Sequence, residues 1–226
     1  MASDIFNDSI QINVHDTTLV GDLMIPENAK GLVVFAHGSD SRRLGKANRF
    51  VAEHLHRFGF ATLLFDLLTE EEEEEFKNTR DIPKLAQRLI DAVYWIQKDD
   101  ATKDYNIGFL GFDTGTAAAL GAAAALGDIA DAVVGVGGRP DLSDTVLADV
   151  HSPVLFIVGG KDEKVLEMNI QAQNQLLGIK DVEIVPDATH LFEEPGALEM
   201  AAQLATDWFR KYLGPNKQQP LRQSQP

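Results

Sequence analysis

Ile107-Gly108-Phe109-Leu110-Gly111-Phe112-Asp113-Thr114-Gly115, running on into Thr116-Ala117-Ala118-Ala119-Leu120, is the stretch that decides the fold. Ile107 to Leu110 is a short apolar run of the kind that forms a buried strand. Thr114 to Leu126 is dominated by alanine, which has the highest helix propensity and lets a helix lie close against a sheet. Between them stands Gly-x-Asp-x-Gly. A strand-turn-helix of this form forces its central residue into a strained conformation that lifts the side chain above the sheet, and the flanking glycines make room for the turn. The central position is that of a nucleophile, and it holds Asp113 where a serine or cysteine is expected.

The flanking sequence supplies the rest of an alternating pattern. Ile10 to Val14 and Leu19 to Ile25 read as an antiparallel hairpin around His15-Asp16. Leu32 to Ala36 reads as a strand buried on both faces and Phe60 to Asp66 as the next strand, with Asn48 to Phe58 and Ile82 to Lys98 as amphipathic helices. Downstream, Ala132 to Val136, Val154 to Val158 and Val182 to Val185 read as strands, with helices over Leu166 to Leu177 and Leu198 to Leu213. Such alternation predicts βαβ units and an α/β architecture, a mostly parallel sheet of about seven to eight strands with helices on both faces. One domain over residues 1–213 is expected. The stretch 214–226 lacks apolar periodicity and is expected to be disordered.

Composition narrows the function. A chain of 226 residues suits one well-buried core. The absence of cysteine removes disulfides, thiolate metal ligands and a cysteine nucleophile together. Acidic residues outnumber basic ones 35 to 20, a net charge of −15 that repels phosphate backbones and anionic lipid, so neither nucleic acid nor membrane is an expected partner. No apolar run reaches the roughly 18 residues of a membrane span, and the first residues have no basic or apolar leader region, so a cytoplasmic location is expected. The expected partner is a small-molecule substrate, bound by a monomer or homodimer.

A nucleophile elbow calls for an acid and a histidine on later strand-end loops, in that order. Asp162 follows the strand Val154 to Val158 through Gly159-Gly160-Lys161, and His190 follows Val182 to Val185 through Pro186-Asp187-Ala188-Thr189. Both fall at the carboxyl ends of strands, where open α/β sheets bind ligands. An oxyanion hole needs a backbone N–H from the residue after the nucleophile, Thr114, and another from the loop His37-Gly38-Ser39, assigned to Ser39, with His37 organising that loop. Arg43, Arg49 and Arg139 are placed to bind a substrate carboxylate or to pair with the Glu70–Glu75 run or with Asp40. Glu70 to Glu75 reads as a solvated loop or helix start. His54 and His56 are two apart on a helix and face different ways, so no metal site is expected, and no cofactor either.

The runs VVFAHGSDS, LLFDLLTEEEE, GFDTGTAAAL, GGRPDL, FIVGGKDEKVLEMN and ATHLFEEPGALE resemble a bacterial branch of the dienelactone hydrolase family, and the resemblance covers nearly residues 10 to 213. It implies an α/β-hydrolase fold without a cap domain, acting on small esters and lactones, with Asp162 and His190 in the family's acid and histidine places. The departure is at the centre. Members of this branch commonly show serine in the elbow, in a run such as GASTGAAAAL, and dienelactone hydrolases proper use cysteine, whereas this chain has Asp113.

Three readings of Asp113 stand open. A carboxylate attacks saturated carbon, giving an alkyl ester that His190 hydrolyses by activating water, as in haloalkane dehalogenases and epoxide hydrolases of this fold. Against this, Thr114 stands where dehalogenases place a halide-binding tryptophan, and Gly137 to Val150 is too short for a cap. The second reading is a non-catalytic ligand-binding relative. The third is a silent variant, in which aspartate replaces the serine of an esterase or lactonase.

Overall fold

A computed structural model describes residues 6–15, 17–37, 43–75 and 80–214, with the side chains of 6–8 excepted. Its centre is one eight-stranded sheet. A hairpin, β1 (Phe6–Asn13) and β2 (Thr18–Ile25), opens the chain. It is followed by β3 (Leu32–Ala36), β4 (Ala61–Phe65), β5 (Ile107–Phe112), β6 (Ala130–Val136), β7 (Val154–Gly159) and β8 (Lys180–Val185). The spatial order is β1-β2-β4-β3-β5-β6-β7-β8. Only the pairings of β1 with β2 and of β2 with β4 are antiparallel.

The central strands are apolar at almost every position because both sheet faces are covered. Alternate residues go to opposite sides: Leu32, Val34 and Ala36 of β3 join one core, Val33 and Phe35 the other. The first core is closed by α3 (Ile82–Ile96), α4 (Thr114–Leu126) and α5 (Glu163–Gln175), the second by α1 (Lys46–Arg57) and α6 (Ala197–Tyr212). α4 is apolar all round and buried, as such a helix must be, between the sheet, α3 and the segment Pro140–Asp149. That segment forms no cap. It is a run of 3₁₀ turns kinked at Ser143, whose hydroxyl donates to the carbonyl of Ala117 at 2.8 Å.

Two differences from the sequence-based expectation have physical causes. α5 starts at Glu163 rather than Leu166, because Asp162 caps it and a polar first turn gives no apolar period. β8 starts at Lys180 rather than Val182, since an edge strand with an exposed Lys180 and Asp181 has no buried face to announce it. The acidic run forms α2 (Glu70–Glu74), started by a capping box between Thr69 and Glu72. Glu72 also holds Arg88 at 3.0 Å and Lys84 at 2.6 Å. Burial resists its ionisation, yet Lys84, the Thr69 N–H and the charge of Arg88 outweigh that and lower its pKa. The expectation for the tail concerns residues beyond Gly214, which lie outside those described. Among the described residues no helix is long and apolar enough to cross a membrane.

Because β3 to β8 run parallel, their carboxyl ends share one side of the molecule, and the loops that follow them meet there.

Candidate active site

The elbow is built by exclusion. A Cβ on Gly111 would sit 2.6 Å from the N of Thr116, and one on Gly115 would sit 1.9 Å from the carbonyl O of Ala36, so neither position admits a side chain. Asp113, between them, has φ 46° and ψ −123°, a conformation costing on the order of 1–3 kcal/mol in a residue with a Cβ. The turn is closed by backbone. Asp113 donates to Val136 O at 3.4 Å, and its own carbonyl accepts from Thr116 N and Arg139 N, both at 3.1 Å. The hydroxyl of Thr116 donates to Gly111 O at 2.9 Å. The Asp113 carboxylate, although it opens α4, does not cap it.

Asp162 behaves differently. Its Oδ1 accepts the Val165 N–H at 3.1 Å and so starts α5, while its Oδ2 lies 2.7 Å from His190 Nδ1. The pair joins the loops after β7 and β8, with the imidazole side chain 47% exposed and the carboxylate 22%. With its Nδ1 proton directed at Asp162, a neutral ring carries its lone pair on Nε2.

The segment after β6 links this pair to the elbow. Gly137 has φ +55°, and a Cβ there would lie 2.4 Å from the His190 carbonyl O. Two residues on, Arg139 donates its N–H to Asp113 O. Residues 136–139 therefore run between the backbone of the elbow and that of His190. Asn169 of α5, fully buried, fastens the segment by donating from Nδ2 to Gly138 O at 3.0 Å.

Of the two candidate donors to an oxyanion, Thr114 is the first residue of α4 and is buried, and Ser39 lies outside the described residues. His37 accepts the Leu67 N–H on Nε2 at 3.3 Å, so it ties the end of β3 to the stretch after β4. Arg139 and Arg43 are both engaged by carboxylates, those of Asp141, Asp66 and Asp22. Arg139 grips Asp141 with Nε and Nη2, each at 2.8 Å, and these bonds, with the charges of Asp141 and Asp113, raise its pKa against partial burial. Arg43 gives Nε to Asp66 at 2.9 Å, Nη1 to Asp22 at 2.6 Å and its backbone N–H to Asp66 at 3.2 Å. Burial works against its charge, and the two carboxylates more than offset that. Among the described residues no group of three or more His, Asp or Glu side chains is arranged to hold a metal ion.

Sequence reasoning missed Asp22, Asp66, Asn169 and Glu194. Asp66, Asn169 and Glu194 lie within runs that carry the family resemblance, but no role was legible for them, since each matters through a tertiary contact, Glu194 by accepting the Thr189 N–H at 3.1 Å.

With this geometry in hand, comparison with known proteins gives one answer on family. The crystal structure of a dienelactone hydrolase from Anabaena variabilis has a TM-score of 0.90 and 46% identity, covering 92% of this chain and 99% of that one. Est1E from Butyrivibrio proteoclasticus shares the fold, at a TM-score of 0.77 and 18% identity over 90% of this chain and 98% of its own. Two Mycobacterium tuberculosis proteins, from strains CDC 1551 and H37Rv, are named as phosphoribosyl transferases. They are 49% identical over 207 residues, 92% of this chain and 47% of theirs, so the chain spans about half the length of those relatives. The model of the dienelactone hydrolase family matches residues 20–213, and the chain belongs to that family, with a fold that supports a hydrolase-type function.

Proposed function

We propose that the chain is a small-molecule hydrolase that works covalently through Asp113, with His190 as base and Asp162 as its orienting acid. The observation that carries this reading is the His190–Asp162 contact of 2.7 Å beside an elbow that keeps Asp113 at φ 46°. A strained backbone persists where something over-determines it, and a carboxylate not committed to capping its own helix is available for chemistry.

In this mechanism an Asp113 oxygen attacks a saturated carbon and expels a halide or opens a strained ring, leaving an alkyl ester on Asp113. His190 Nε2 then takes a proton from water, and the hydroxide adds to the Asp113 carbonyl carbon. The tetrahedral oxyanion formed there is the group that the Thr114 N–H, with Ser39, would stabilise. Collapse expels the alkoxide, which takes the proton from His190 and leaves as alcohol; the Asp113 carboxylic acid so formed gives its own proton to solvent, and the carboxylate is restored. An ordinary ester is a poor substrate for this route, since attack at its acyl carbon would give an anhydride.

Single turnover in heavy-oxygen water tests the mechanism. Label should enter the Asp113 carboxylate, and His190→Ala should trap the ester for detection by mass spectrometry. Product formed with neither label nor adduct would exclude Asp113 as nucleophile. A second reading, an esterase or lactonase site silenced by aspartate in the serine position, is favoured by the same His190–Asp162 pair, because that pair suits a serine hydroxyl. The transferase name of the Mycobacterium proteins belongs to chains of which this one matches less than half.

A further inference from the structure

We infer that Glu194 is the positioning residue of His190, fixing the peptide before the imidazole so that Nδ1 reaches Asp162 and Nε2 keeps one direction. The inference rests on the reading of His190 as base. Glu194 Oε1 accepts the N–H of Thr189, the residue next to His190, at 3.1 Å. On its other side the same stretch lies against the end of β7. A Cβ on Gly159 would fall 2.4 Å from Thr189 O and 2.5 Å from Ala188 O, and Lys161 N donates to Ala188 O at 2.9 Å. Residues 188 and 189 are therefore held between a glycine that leaves no slack and a carboxylate.

That carboxylate is itself fixed from below, because Glu194 O accepts the Ala197 N–H at 3.0 Å where α6 begins. Without Glu194, the loop would keep the bonds from Lys161 N–H to Ala188 O and from Phe192 N–H to Thr189 O and the exposed His190–Asp162 contact, against the strain of Asp187 and Phe192, both at positive φ.

The test compares Glu194→Ala with Glu194→Gln, which keeps an acceptor oxygen. The first readout needs no substrate: the low-field proton resonance of the Nδ1–H shared by His190 and Asp162. It should broaden or vanish in E194A and persist in E194Q. With a substrate turned over by the parent, E194A should lower kcat about tenfold to a hundredfold with KM within about twofold, and E194Q should restore most of the loss. A resonance in E194A as sharp as in the parent overturns the inference, as does an E194Q as damaged as E194A. Should E194A not fold, amide exchange in the unaltered protein decides: the Thr189 N–H should be protected, and free exchange there overturns the inference. Absence of any turnover by the parent, with the resonance behaving as expected, would count against the chemistry assigned to Asp113 and leave the role of Glu194 standing.

Discussion

Asp113 and Phe192 both hold a positive φ, 46° and 53°, one in the elbow and one in the loop that carries His190, yet the two turns are kept in place by different forces. The elbow is enforced by contact: glycines 111 and 115 abut Thr116 and Ala36, and every bond that closes it is to backbone or to the Thr116 hydroxyl. The His190 loop also abuts glycines, 137 and 159, but to that contact it adds charge, with Asp162 on the ring and Glu194 on the peptide before it. Contact is indifferent to pH and intolerant of volume, whereas carboxylate contacts tolerate volume and respond to pH. The nucleophile position is thus fixed by what cannot be added, and the base also by what must not be removed.

The sharpest way to break the elbow half of the comparison is Gly115→Ala. One methyl group would be placed 1.9 Å from Ala36 O, with no flexible side chain to give way. The variant should lose more than about 4 kcal/mol of stability or fail to accumulate as folded protein, read by thermal melting and circular dichroism. A stable G115A would mean that the elbow is not enforced by contact.

Next in size is Asp113→Ser, which leaves the elbow and the His190–Asp162 pair as they are. The serine hydroxyl would meet a histidine ready to take its proton, a part that an ionised Asp113 cannot play. Hydrolysis of short p-nitrophenyl esters should rise at least about a hundredfold in kcat/KM, equivalent to roughly 2.7 kcal/mol of transition-state stabilisation. Adding His190→Ala should abolish the gain, since the two would act as a unit. A folded D113S with no more esterase activity than the parent would show that the site has drifted from hydrolase geometry, and would favour a ligand-binding role.

The two turns also differ in how far they could be read from sequence. The elbow was legible because its constraints are local: a strand, two glycines around a central residue, and an alanine-rich helix within twenty residues. Asp162 and His190 were legible by order along the chain. What holds them was not. Asp22 on β2 and Asp66 just past the end of β4 engage Arg43 from places that neighbour each other only in the sheet, and Glu194 sits in Glu193-Glu194-Pro195 with no signal of its tertiary contact. Strand order is the missing information, and a single sequence carries it weakly. The sheet itself was read well wherever both faces are buried, and clipped at β8, where the strand has one neighbour and exposed side chains.

The smallest expected effect sharpens the other half of the comparison, through pH. Bonds from its own backbone N–H and then, against some burial, from the N–H and hydroxyl of Thr189 hold the Glu194 carboxyl below its usual range. A carboxyl whose folded pKa is depressed contributes its stabilisation in full above the unfolded value of about 4.5, and loses it as pH falls through the lower folded value. Acidification from pH 6 towards 3.5 should therefore loosen the His190 loop while the elbow, which depends on no titrating side chain, stays closed. Amide exchange, corrected for intrinsic rates, is the measurement. Thr189 should lose protection as the pH drops below about 4.5, Thr116 should keep its own, and in E194Q the pH dependence at Thr189 should flatten. Equal loss of protection at both sites would mean that the two turns open as one unit, and the distinction between contact and charge would fail.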